Sequence, residues 1–246
     1  MSPHRPAAIV SGMHEELRAL LPLLDDRHTV RLAGREFHHG LIHGQPVVLA
    51  LSGIGKVAAA TTAVLLMHAF DACQLVFTGV AGGLAAGVDV GDVVVARQLL
   101  QHDMDASPLF PRFEVPLTGR SRFEADAELS EALGAAALRG LGARLHRGLI
   151  VSGDRFVASA ADSDALRTLL PDALAVEMEG AAVAQACADF GRPFAVVRTI
   201  SDRADDTAHV DFARFIEEVA SATTRAIIEE WVRHEANSLD ASSPVP

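Results

Sequence analysis

Apolar runs that end in small residues recur along the chain: "AAIVSG" at 7–12, "PVVLALSG" at 46–53, "QLVFTG" at 74–79, "GDVVVA" at 91–96, "LHRGLIVSG" at 145–153, "LAVEM" at 174–178 and "RPFAVVRTIS" at 192–201. The runs are continuous rather than alternating, which predicts strands covered on both faces. Helical stretches lie between several of them, over about 14–24, 55–70, 125–138, 180–190 and 209–234. Strands alternating with helices predict an α/β sheet with many parallel neighbours. No internal repeat or domain boundary interrupts residues 1–234, which read as one domain, and the polar end "EANSLDASSPVP" (235–246) reads as a loose tail. The segment 97–124 carries three prolines and reads as a long excursion. Loops of that length in a compact domain often border a site or an interface.

Charge and cysteine content narrow the partners. Twenty-one Lys and Arg stand against 32 Asp and Glu, a formal net charge of −11. That balance gives no general electrostatic basis for binding nucleic acid or an anionic membrane, and favours a small-molecule partner. Cys73 and Cys187 sit in apolar contexts with no second cysteine near either, so they read as free thiols of a reducing compartment. The opening "MSPHRPAAIV" lacks the pattern of a signal peptide, and no run of about 18 residues is apolar enough to cross a membrane, so the expected location is the cytoplasm.

Ligands of open α/β sheets bind beyond the carboxyl ends of the strands, so the residues just after each run are the candidates for chemistry. Several familiar motifs fail there. A phosphate loop over "ALSGIGKV" needs Gly and Ser or Thr where Ala50 and Val57 stand, and a zinc helix over "MHEELR" needs His where Arg18 stands. "TGVAGGLAAG" does not scan as a dinucleotide fingerprint; its glycines fit a tight turn or a backbone that closely approaches a ligand about equally well. His102, Asp103 and Asp105 in "QHDMD" fit a solvated loop at least as well as a metal site, and no GxSxG elbow is present.

What remains is a set of carboxylates. Glu16, Glu179 and Asp202 each have an ordinary reading: an acid in a helix first turn, an acid at a helix N-terminus, and a cap or turn former. Glu177 reads as a charge paired with a buried arginine such as Arg198. Singly, the ordinary readings are the better ones, because acidic residues are usually solvated or structural. Acids after three different strands, however, point to one site.

The stretches "SGMHEEL", "SGIGKVAAA", "TGVAGGL", "VGDVVVA", "GLIVSGDRFV", "AVEMEGAAVA" and "FAVVRTISDRAD", in order from about residue 8 to 233, resemble the 5′-methylthioadenosine/S-adenosylhomocysteine nucleosidases of the nucleoside phosphorylase superfamily. The resemblance implies a single α/β domain with a mixed, barrel-like central sheet flanked by helices, and a homodimer in which the partner chain lines the pocket for the 5′ group. It also implies hydrolysis of the N-glycosidic bond of adenosines bearing a 5′-thioether, with no metal or organic cofactor. Carried over residue by residue, Glu16 is the base acting on the attacking water. Asp202, with Ser201 beside it, is the acid that protonates N7 of adenine. Glu179 holds the ribose hydroxyls, Met178 packs on the sugar, Phe156 stacks on adenine and the backbone of Val157 reads the base edge. Met13, Ile54, Phe212, Ala81 and Gly82 complete the walls, and Glu177 either contacts the substrate or supports the site.

Phosphorylases of the superfamily need Arg and hydroxyl donors where Glu16, Phe77 and Val80 stand, so water is the expected nucleophile. Val80 departs from the Ser common in the nucleosidases, and the resemblance thins over 97–124, where residues like Ala106 and Leu109 reach the partner's pocket in the family. The nearest rivals are a futalosine hydrolase or another purine nucleosidase of the same fold, then a phosphorylase, then a nucleoside-binding protein without turnover.

Overall fold

The computed structural model describes residues 5–242, apart from the side chains at 210, 217–218 and 237–242. Ten strands form one mixed sheet: β1 (Ala7–Ser11), β2 (Asp25–Leu32), β3 (Arg35–Ile42), β4 (Gln45–Leu51), β5 (Gln74–Gly83), β6 (Val93–Gln101), β7 (Arg122–Glu124), β8 (Leu145–Ser152), β9 (Ala173–Glu177) and β10 (Phe194–Asp202). The order is β10-β6-β8-β9-β5-β1-β4-β3-β2, and β10 also pairs with β5. That extra pairing closes β5, β10, β6, β8 and β9 into a five-stranded barrel, from which β1, β4, β3 and β2 extend as a wing. The barrel is mixed: β10 runs parallel to β5 but antiparallel to β6, and β5 meets β9 antiparallel at Gly82 and Gly83.

Helices α1 (His14–Leu20), α2 (Lys56–Ala69), α3 (Ala127–Leu141), α4 (Ala160–Leu169), α5 (Gly180–Phe190), α6 (Ala208–Phe215) and α7 (Ser221–Ser242) flank the sheet. The continuous apolar runs divide by strand alternation. Leu75 and Phe77 of β5, with Phe194, Val196 and Ile200 of β10, join a core shared with α2 and α5, while Val76, Ala195 and Val197 point into a second core under α1, α3 and α7. Both faces are packed with buried apolar side chains, and each fully buried Leu, Val or Phe there contributes about 1.5–3 kcal/mol.

Three sequence expectations change. The wing hairpin β2–β3, α4 and short β7 were not anticipated. The last helix does not run unbroken over 209–234: α6 is joined to α7 by one π-helical segment at Ile216–Ala220, and α7 continues to Ser242 through most of the supposed tail. Residues 243–246 of that tail lie outside the described residues. The excursion is also shorter than 97–124, since β6 continues to Gln101 and β7 pairs back on it.

Candidate active site

Strand ends and helix starts converge on one cavity of about 330 Å³ at the mouth of the barrel. Glu16 arrives on the first turn of α1, Glu179 on the residue before α5, and Asp202 at the end of β10. All three line the cavity, and all three side chains are buried.

Each acid is held differently. The Met13 N–H donates to Glu16 Oε2 at 3.2 Å, half of a capping box, while Glu16 Oε1 has no protein partner. Burial pushes the Glu16 carboxyl up to about 7, although the charge of Arg198 pulls the other way. Glu179 accepts the Gly55 N–H at 2.7 Å, and its carboxyl is also pushed up to about 7, first by burial and then by the neighbouring charge of Glu177. Asp202 accepts the Ser201 hydroxyl at 2.8 Å and the Ala204 N–H at 2.8 Å. Burial still raises its carboxyl above the ordinary range. Three acids whose burial shifts them toward their protonated forms around an apolar-walled cavity are the pattern expected of proton-transfer chemistry.

The walls suit a flat ring and an apolar substituent. Phe156 and Phe212 meet edge to face with centroids 5.5 Å apart, and Met13, Ile54, Met178, Ala81 and Gly82 complete the lining, with Ser201 beside Asp202. Ile54 is 64% exposed and Phe156 42% exposed, so the cavity is open on that side. Val80 also lines it, packed against the buried cluster of Phe215, Ile216 and Ala220, as are Met13 and Phe212.

Two expected site residues do not line the cavity. The side chain of Val157 is buried with Leu166 and Leu170 under α4, which does not bear on the role expected of its backbone. Glu177 is fully engaged elsewhere: it takes Arg198 Nη2 at 2.8 Å, the Ser152 hydroxyl, and the N–H groups of Glu179 and Gly180. The reading of Glu177 as the partner of buried Arg198 is the one the contacts bear out, and removing either member of such a pair costs about 3–5 kcal/mol. Conversely, Gly12, Thr78, Gly79, Val176 and Arg198 line the cavity without having been singled out for substrate contact. Arg198 lies over the Phe77 ring at 4.1 Å, and an arginine inside an apolar strand run was its only sequence signal. Among the described residues no three His, Cys, Asp or Glu side chains group as a metal site; Asp103 instead pairs with Lys56.

The chain matches the model of the phosphorylase superfamily over residues 6–233. It is similar to the crystal structure of the 5′-methylthioadenosine/S-adenosylhomocysteine nucleosidase of Neisseria meningitidis in complex with methylthio-immucillin-A: 37% identity, TM-score 0.89, covering 94% of this chain and 99% of that one. The S-adenosylhomocysteine nucleosidase of Streptococcus pyogenes in complex with 5-methylthiotubericidin is 33% identical, with TM-score 0.88 and coverage of 95% and 98%. A futalosine hydrolase mutant of Helicobacter pylori is 34% identical, with TM-score 0.86 and coverage of 94% and 99%.

Proposed function

The chain belongs to the phosphorylase superfamily and, within it, to the 5′-methylthioadenosine/S-adenosylhomocysteine nucleosidases, and from that premise we propose that it hydrolyses the N-glycosidic bond of 5′-thio-substituted adenosines, releasing adenine and a thioribose. The observation that carries the reading is the convergence of Glu16, Glu179 and Asp202, from three separate elements, on one cavity walled by Phe156, Phe212 and Met178.

The proton work divides between the two ends of the breaking bond. Asp202, whose burial favours the protonated form, gives its proton to N7, so that the C1′–N9 electron pair leaves with a neutral base. The sugar then carries oxocarbenium-like charge, as in glycoside hydrolysis. Glu16 must be ionised to take a proton from the water that adds to C1′, and its otherwise unpartnered Oε1 is free to do so. Near pH 7 a useful fraction of Glu16 is ionised, which matches the base to its task. Glu179 accepts both ribose hydroxyls, two hydrogen bonds that compensate its burial. Phosphate is disfavoured: Glu16 repels it, Val80 offers no donor, and Arg198 on the cavity wall is already neutralised by Glu177.

The protein acts as a homodimer in this proposal. Ile54, 64% exposed on the open side of the cavity, leaves an apolar position there for a second copy to cover, next to the 5′ group. Both cysteines are free thiols, which fits the cytoplasm, and the thioribose product would enter methionine salvage.

The test is a side-by-side kcat/KM comparison of methylthioadenosine, S-adenosylhomocysteine, 5′-deoxyadenosine and futalosine. The two thioethers are expected to lead. A preference for futalosine by tenfold or more would reassign the substrate, and turnover of none would leave a binding protein.

A further inference from the structure

Glu179, the ribose-binding carboxylate, takes its hydrogen bond from the last residue before α2. Gly55 has φ +93°, and a Cβ added there would lie 3.0 Å from Asp154 Oδ1. The next amide, of Lys56, donates to that same Asp154 Oδ1 at 2.7 Å. The first two free amides at the start of α2 thus end on two carboxylates, Glu179 and Asp154, which come from distant parts of the chain. Asp154 is itself held: its N–H donates to Asp103 Oδ2 at 2.9 Å, and Asp103 Oδ1 takes Lys56 Nζ at 2.6 Å. Lys56 Nζ also donates to Gln101 Oε1 at 3.1 Å. A ring of Lys56, Asp154 and Asp103 therefore closes around the loop that carries Ile54 and Gly55 and ties it to the loop that carries Phe156.

We propose that Asp154, braced by Asp103 and Lys56, is a positioning residue that aims the Gly55 N–H at Glu179 and so sets both the orientation and the ionisation of the ribose-binding carboxylate. Asp154 is exposed and lies outside the hydrophobic core, so core packing does not account for its contacts with Lys56 and Asp103. Hydrogen bonds to a charged acceptor are about twice as strong as neutral ones, so the aim of this one N–H matters to a buried carboxylate. The same ring fixes two cavity walls, Ile54 and Phe156, relative to each other.

The kinetic part of the test rests on the nucleosidase reading. Asp154→Ala is expected to raise KM for methylthioadenosine about tenfold or more, with a smaller change in kcat. It should also move the acid limb of the kcat/KM profile to higher pH, because losing a hydrogen bond to the ionised form raises a carboxyl pKa. Asp154→Asn keeps an oxygen for the Lys56 N–H and should stay close to wild type. A second readout needs no turnover: in the 15N-labelled full chain the Gly55 amide resonance should titrate with Glu179 near neutral pH, with its midpoint raised in Asp154→Ala and unmoved in Asp154→Asn. Wild-type KM and an unmoved Gly55 midpoint in Asp154→Ala would overturn the proposal, as would equal damage from Asn and Ala accompanied by a lowered melting temperature. If the wild type releases no adenine at all, the nucleosidase reading fails while the Gly55 titration still decides the positioning role.

Discussion

Glu16 and Asp202 work against the fold that holds them. The ordinary value of a glutamate is 4.5, and burial pushes Glu16 up to about 7. Between those values the native chain holds a proton that the unfolded chain has released, so stability falls as pH rises through that window. At pH 8 the cost is about 3 kcal/mol for Glu16; Asp202, raised by burial as well, acts in the same direction. Glu16→Gln should therefore melt roughly 6–12 °C above wild type at pH 8 and near wild type at pH 5, and Asp202→Asn should melt no lower than wild type. Both should lose turnover by about a hundredfold or more, measured as adenine release. A lower melting temperature at pH 8 would mean that these carboxylates hold the structure together rather than serve chemistry. At this scale the sequence separated the residues well, since Glu177 and Glu179 lie two apart yet face a buried arginine and the cavity respectively. Arg198 on the cavity wall was not legible as a lining residue, because strand alternation alone does not say which face borders a void.

Among the elements, β5 shows how a glycine-rich stretch can be mistaken for a turn. "TGVAGG" stays in the strand, pairing with β10 along its length and then with β9. At Gly82 the strand backbone closely approaches the protein itself: an added Cβ would lie 2.9 Å from Asp202 Oδ1 and 2.9 Å from the Cβ of Ala204. Neither neighbour is the far end of a flexible chain. Gly82→Ala should thus displace the Asp202 carboxyl and lower kcat by about ten- to a hundredfold, with a lower melting temperature by calorimetry; unchanged kcat would show that the turn after β10 can yield without moving the acid. The hairpin β2–β3 was illegible for a different reason. All eight residues of β2 are exposed, so no apolar alternation marks it, and the turns at Ala33–Gly34 and His43–Gly44 place Ala and His at positive φ, where Asn or Asp is the usual signal.

For the whole molecule, composition and apolar runs sufficed for an α/β domain, because strands buried on both faces must be apolar throughout. Barrel closure was not readable from those runs, since the pairing of β5 with β10 joins residues more than a hundred positions apart and ends on a register shift between Ile200 and Asp202. That closure gathers α1, β5, α5 and β10 around one cavity, so that in the proposed reaction a base, a sugar-binding acid and a leaving-group acid act on a single nucleoside. It also puts a buried acid, Glu16, on the cavity wall, which makes the choice of nucleophile the central claim. The most direct measurement is adenine release from methylthioadenosine by the purified protein, with and without inorganic phosphate. Equal rates, with free methylthioribose as the other product, are the predicted result; adenine released only with phosphate, together with a sugar 1-phosphate, would contradict it.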